Sequence, residues 1–135
     1  MSGYSQTPLV KKLGIKPGFR IKTRFEPEDY WDWINPLPQD LKISKSAKPQ
    51  SLDFVHLFAV NRKVFEREFN RLKSEIKKDG MLWVSWPKKS SGIQSDLDDG
   101  VIRNHGLSSG LVDVKVCAVS DVWSGLKFMY RLKDR

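Results

Sequence analysis

The chain has 135 residues, 39% hydrophobic and 11% aromatic, with 24 Lys plus Arg against 16 Asp plus Glu and a formal charge of +8. That length suits one domain spanning 1–135, and the aromatic content excludes a disordered chain. No apolar run reaches the roughly 18–20 residues of a membrane span and no signal-peptide pattern opens the chain; a lone cysteine and two histidines exclude an internal disulfide and argue against structural zinc, so a soluble, basic, cytoplasmic protein is expected.

In chain order, Thr7 reads as the N-cap and Pro8 as the first residue of a helix that Gly14 ends in a left-handed conformation. After the Lys16-Pro17-Gly18 turn, Phe19 to Phe25 alternates apolar and polar residues as a first strand. Pro27 opens a short helix carrying Tyr30, Trp31, Trp33 and Ile34, which Asn35-Pro36 stops because proline bars its predecessor from helical geometry. Leu41 to Ile43 is a short edge strand, and Lys45 to Ser51 a loop. Leu52 to Val60 is nearly continuous apolar sequence, the pattern of a strand covered on both faces.

Asn61 then caps a helix expected over Arg62 to Lys78, with Phe65, Phe69, Leu72 and Ile76 in one stripe and Lys63, Arg67, Arg71 and Lys78 opposite. Asp79-Gly80 is expected to end it, and Met81 to Trp86 is a second buried strand. Parallel strands need such a crossover. Pro87 to Gly92 is a polar loop; Ser95 with Asp98 suggests a capping box for a helix through Val101, Ile102 and Arg103 toward Gly106. Leu111 to Val119 alternates, Asp121 to Gly125 is a turn, and Leu126 to Arg131 returns as the last strand of a terminal hairpin.

This order predicts a doubly wound α/β fold, mostly parallel with an antiparallel hairpin at its end. It resembles the methyltransferase variant of the Rossmann-like three-layer sandwich, shortened: Gly14 to Ile21 is similar to the entry into that fold's first strand. Asp53-Phe54-Val55 through Trp83-Val84 is similar to its fourth strand, crossover helix and fifth strand. A second resemblance rests on Trp86-Pro87-Lys88-Lys89-Ser90-Ser91-Gly92, Gly110 to Val119, Trp123 to Lys127 and the opening Gly3 to Leu9. These segments resemble a bacterial domain-of-unknown-function family of small stand-alone proteins, which implies the size but no activity.

The methyltransferase resemblance implies S-adenosylmethionine at a glycine-rich turn after the first strand, and an acidic residue ending the second. Here the first junction reads Thr23-Arg24-Phe25-Glu26-Pro27-Glu28, without glycine, and the second strand ends in Ser44-Lys45. No cofactor is therefore expected, and the leading reading is a non-catalytic binding or interaction domain. Ligands of doubly wound sheets sit beyond the carboxyl ends of the parallel strands, and helix N-termini there favour anions. Arg24, Asn61, Arg62, Lys88, Lys89, Ser90 and Ser91 are accordingly the candidate site for a small anionic ligand. A divergent S-adenosylmethionine-type transferase is one alternative. Nucleic-acid binding is another, through the acid-free stretch ending at Arg24 and the Lys63, Arg67 and Arg71 face. Tyr30, Trp31 and Trp33 cannot all face one stripe of a short helix, so core packing of two of the three is expected, and an exposed one beside acids suggests a protein interface. His56 reads as a core histidine, His105 as complementing a helix end, and Cys117 as a small buried thiol sharing a face with Asp113 and Lys115.

Overall fold

A computed structural model describes residues 7–135, so the opening segment of the second resemblance lies partly outside it. One six-stranded sheet has the order β2-β1-β3-β4-β6-β5. Strands β2 (Lys42–Ile43), β1 (Arg20–Arg24), β3 (Leu52–Phe58) and β4 (Ile76–Pro87) run parallel, and β6 (Trp123–Tyr130) and β5 (Leu111–Ala118) close it as an antiparallel hairpin. Helices α3 (Arg62–Lys73) and α4 (Asp99–Ser108) cover one face; the short helices α1 (Leu9–Leu13) and α2 (Tyr30–Trp33) cover the other. The doubly wound order with its antiparallel end is as expected.

Each central strand feeds both cores because its side chains alternate. In β3, Val55 and Leu57 join Phe65, Phe69 and Leu72 under α3, whereas Phe54 and Phe58 join Leu13, Ile21 and Tyr30 beneath the short helices. In β4, Leu82, Val84 and Trp86 face α3 and α4, while Trp83 turns the other way and donates from Nε1 to the Leu13 carbonyl at 2.8 Å. Tyr30 is wholly buried; Trp31 and Trp33 are half-buried against the same core.

Several boundaries differ from expectation for identifiable reasons. α3 stops at Lys73, because Ser74 and Glu75 turn the chain and their carbonyls receive the Gln50, Ser51 and Leu52 amides. Ile76 is thus the first residue of β4, buried as the helical stripe required but on another element. Lys78 lies over the Tyr130 ring at 4.3 Å, away from the Arg67 and Arg71 face. Asp79-Gly80 does not end a helix: it belongs to an irregularity in β4, where Leu52 pairs Ile76 and Phe54 already pairs Met81. Gly80 is required there, since a Cβ would stand 2.8 Å from the Leu52 carbonyl oxygen.

The α4 cap is Asp98, whose carboxylate accepts the Val101 amide at 2.9 Å; Ser95 instead donates to the Val60 carbonyl at 2.5 Å. At α1, Pro8 itself occupies the capping position, its carbonyl accepting the Lys11 and Lys12 amides. β6 begins at Trp123, inside the expected turn. In β5, Asp113 pairs Phe128 but Lys115 pairs Lys127, so Val114 is an extra residue. That bulge turns Asp113 to α4, where it accepts from Arg103 at 3.1 Å, and turns Lys115 and Cys117 to the opposite face, where Lys115 donates to the Lys12 carbonyl at 3.1 Å. The single face expected for Asp113, Lys115 and Cys117 is therefore split.

Candidate functional site

The chain leaves β1 toward β2 on one side and β3 toward β4 on the other, so the topological switch point falls between β1 and β3. At its carboxyl edge β1 ends in Arg24, which turns toward α3. Arg24 Nε donates to Glu68 Oε1 at 3.0 Å, and Arg71 Nη2 donates to the same oxygen at 2.5 Å. Arg67 Nε reaches Glu68 Oε2 at 3.4 Å. Three guanidiniums thus share one carboxylate. Burial works to raise the Glu68 pKa, but the bonds and charges of Arg24 and Arg71 outweigh it and hold the carboxyl below its usual range. The arginines stay accessible, with Arg67 66% and Arg71 50% exposed.

The next residue, Phe25, has φ of 61°, a left-handed conformation that a bulky side chain rarely adopts. It stands exposed with the Arg24 guanidinium 4.2 Å above its ring. Phe25 also walls an apolar niche of ≈ 270 Å³, completed by Phe58, Ala59, Val60, Asn61, Val64 and Trp123. An apolar recess therefore adjoins a group of cations with surplus positive charge.

The expected site residues divide between two places. Asn61 lines this niche, and Arg24 adjoins it from above the Phe25 ring. Lys88 and Lys89 line a separate groove of ≈ 560 Å³ with Trp86, Leu97, Asp98 and Asp99, where the two acids offset their charge. Ser90 is exposed, and Ser91 folds back to donate to the Lys88 carbonyl at 2.6 Å. Arg62 pairs with Glu66 at 3.0 Å. The N-terminus of α3 already holds side-chain oxygens: Asn61 Oδ1 accepts from the Val64 amide at 2.9 Å and Asp96 Oδ1 from the Arg62 amide at 2.8 Å. Lys63 is exposed on the first turn of α3, while Lys22 of the basic first strand is buried against Glu75 at 2.8 Å.

Phe25 and Glu68 are the residues the sequence reading passed over. Glu68 carried a usable signal: with Phe65, Phe69 and Leu72 it makes an i, i+3, i+4, i+7 stripe, so an acid there had to be buried and paired. Phe25 carried none, because its exposure follows from its backbone conformation.

Of the titratable groups expected to be structural, His56 lies in the core, whereas Cys117 is half-buried rather than buried. His56 is fully buried, with Nδ1 2.9 Å from the Tyr30 hydroxyl and Nε2 2.8 Å from Ser85 Oγ. His105 does more than meet a helix end: it bonds Asn70 at 2.9 Å and lies against Phe65 and Phe69, and burial lowers its pKa. Burial likewise pushes the Cys117 thiol up, against the opposing pull of Lys115, Lys12 and Lys127. Among the described residues no cluster of His, Cys, Asp and Glu is arranged to hold a metal ion, and no helix is long and apolar enough to cross a membrane.

No family model matches the chain, and no curated protein does. Solved structures do. A SAM-dependent methyltransferase from Aquifex aeolicus superposes with a TM-score of 0.59 at 13% identity, over 91% of this chain and 88% of that one. Magnesium protoporphyrin IX methyltransferase from Synechocystis PCC 6803, with bound SAM, gives 0.58 at 11% identity, over 91% and 74%. A structure described as a possible exported protein from Bordetella parapertussis gives 0.64 at 9% identity, over 90% and 65%. The chain therefore has a methyltransferase-like Rossmann fold.

The residues present do not fit the cofactor in the way the resemblance implies. The turn after β1 carries Phe25 and Pro27 where glycines would let backbone approach a ligand. Ser44 and Lys45 follow β2 where an acid would meet ribose hydroxyls. The niche is also smaller than the roughly 300–1,000 Å³ usual for drug-sized ligands.

Proposed function

We propose that the chain is a non-catalytic binding domain for a small organic anion at the carboxyl edge of its sheet. The ligand's apolar part enters the niche between Phe25, Val60 and Trp123, and its carboxylate or phosphate meets Arg24, with Arg67 and Arg71 behind. The observation that supports this most directly is the sharing of one buried carboxylate by three arginines beside an apolar recess at the switch point. Arginine suits the task because its planar fork matches oxyanions and keeps its charge. For the same reason it transfers no protons, and the imidazole of His56 is sealed behind Phe58, 4.4 Å from that ring. A place in the bacterial domain-of-unknown-function family remains part of this reading, on the segments quoted above.

The test is an amide-shift titration with phenyl phosphate, a flat apolar ring bearing a dianion. Shifts are expected at Phe25 and at Val60 to Val64, with a change in Trp123 fluorescence. Arg24→Gln should weaken binding about 10-fold or more, since a hydrogen bond to a charged group contributes roughly 1.5–3 kcal/mol. Shifts confined to Lys88 to Gly92 would move the site to the neighbouring groove, and silence at millimolar probe would overturn the reading. The transferase alternative draws on the fold likeness alone and requires S-adenosylhomocysteine to shift the same residues. Nucleic-acid binding through Lys63, Arg67 and Arg71 requires an affinity that falls steeply with salt and is lost in Arg67→Glu with Arg71→Glu.

A further inference from the structure

A second hollow lies at the other end of the sheet. It measures ≈ 720 Å³ and is lined by Arg20, Ser46, Ala47, Lys48, Ser51 and Lys77. Arg20 opens β1, Ser51 immediately precedes β3, and Lys77 sits in the irregular opening of β4, so the hollow spans the amino ends of adjacent parallel strands. The loop from β2 to β3 forms its remaining wall, held in place because Ala47 packs against the core under α3.

Its charge is one-sided. The acid at this place, Asp53, is committed: Oδ1 pairs with Lys77 at 2.9 Å and Oδ2 accepts the Arg20 backbone amide at 2.8 Å. The Arg20 guanidinium and the Lys48 ammonium have no carboxylate partner among the described residues, and both side chains are exposed. Lys42, exposed on β2, stands opposite Arg20 in the strand register and extends the positive rim. Three of the six lining side chains are cationic, and none is acidic. The volume lies within the usual range for ligand sites, and separated cations around one hollow match a ligand with several negative groups rather than one.

We propose that this amino-edge hollow binds a ligand carrying clustered phosphates, with Arg20 and Lys48 as its principal anchors and Lys77, paired with Asp53, on its wall. The same chemistry is offered by a free polyphosphate and by a nucleic-acid backbone. Calorimetry and amide-shift titration with inorganic tripolyphosphate provide the test, with a short single-stranded oligodeoxynucleotide as the second arm.

Tripolyphosphate is expected to shift Arg20, Ala47, Lys48 and Lys77. The double variant Arg20→Gln, Lys48→Gln should weaken it by about 10-fold or more and remove the shifts at Ala47 and Lys77. Neither altered side chain makes a hydrogen bond that the fold uses, so a loss of binding with an unchanged amide spectrum is a loss of the site. Displacement of tripolyphosphate by the oligonucleotide, with a steeper salt dependence, identifies nucleic acid as the source; failure to displace it identifies a free polyphosphate. Absence of shifts at these residues at millimolar tripolyphosphate overturns the proposal, as does a double variant that binds like the parent.

Discussion

His56 is held neutral in the middle of the sheet. Each ring nitrogen faces a hydroxyl, Tyr30 on one side and Ser85 on the other, and either hydroxyl can donate or accept, so both ring bonds form without a proton beyond the neutral ring's one. Burial then lowers its pKa from 6.5 to about 3. Below pH 6.5 the unfolded chain binds a proton that the folded chain refuses. Stability therefore falls as pH drops from 6.5 toward 3, by up to about 1.4 kcal/mol per pH unit. Urea unfolding across this window should show that slope, and the His56→Gln variant should lose most of it between pH 6.5 and 5, before carboxylates begin to titrate. Ring resonances of His56 that titrated near pH 6.5 in the folded protein would contradict the account. That His56 is a core residue could be read from its apolar run. Its partners could not, because they lie 26 and 29 residues away and meet it only through strand register and the placement of α2.

Two elements meet more closely than their sequences suggest. α4 approaches β6 at Gly106, where a Cβ would lie 2.1 Å from Phe128 Cε1, with Phe128 itself fully buried beside Phe69. Gly106→Ala gains helix propensity of about 1 kcal/mol but forces that ring into a packed core. A net destabilisation of about 1–3 kcal/mol is expected, measured as a lower urea midpoint with an unchanged slope; a stabilised variant would show that the ring has room to move. The sequence supported element type better than element boundary. The apolar stripe of α3 was legible from its spacing, but Ile76 fits both a helix stripe and a strand opening, so periodicity alone ran the helix too far. The extra residue at Val114 was equally hidden, since strict alternation continues on paper while the bulge exchanges the faces in space. Of the candidate site, Arg24 and Asn61 were legible from the rule that ligands gather at strand ends. Phe25 and Glu68 became functional candidates only when β1 was laid beside α3.

At the scale of the whole molecule, the sheet separates two chemically different edges. The carboxyl edge presents the arginine group and its apolar niche; the amino edge presents a basic hollow. The hairpin adds a third kind of boundary. Among the described residues β5 pairs with β6 alone and forms the sheet's edge, with Val114 and Val116 48% and 56% exposed along it. Between them stands Lys115, whose ammonium is tethered to the Lys12 carbonyl. A strand rim of this kind is a growth template for other chains, and one lysine beside a bulge is the sort of feature that spoils the template. Lys115→Val would leave three consecutive valines on that rim. At high concentration the variant should scatter light and bind thioflavin while the parent remains clear; a clear variant would assign the protection to the bulge alone. The expected outcome makes the charge at position 115 the limit on how concentrated this protein can become before it associates with itself.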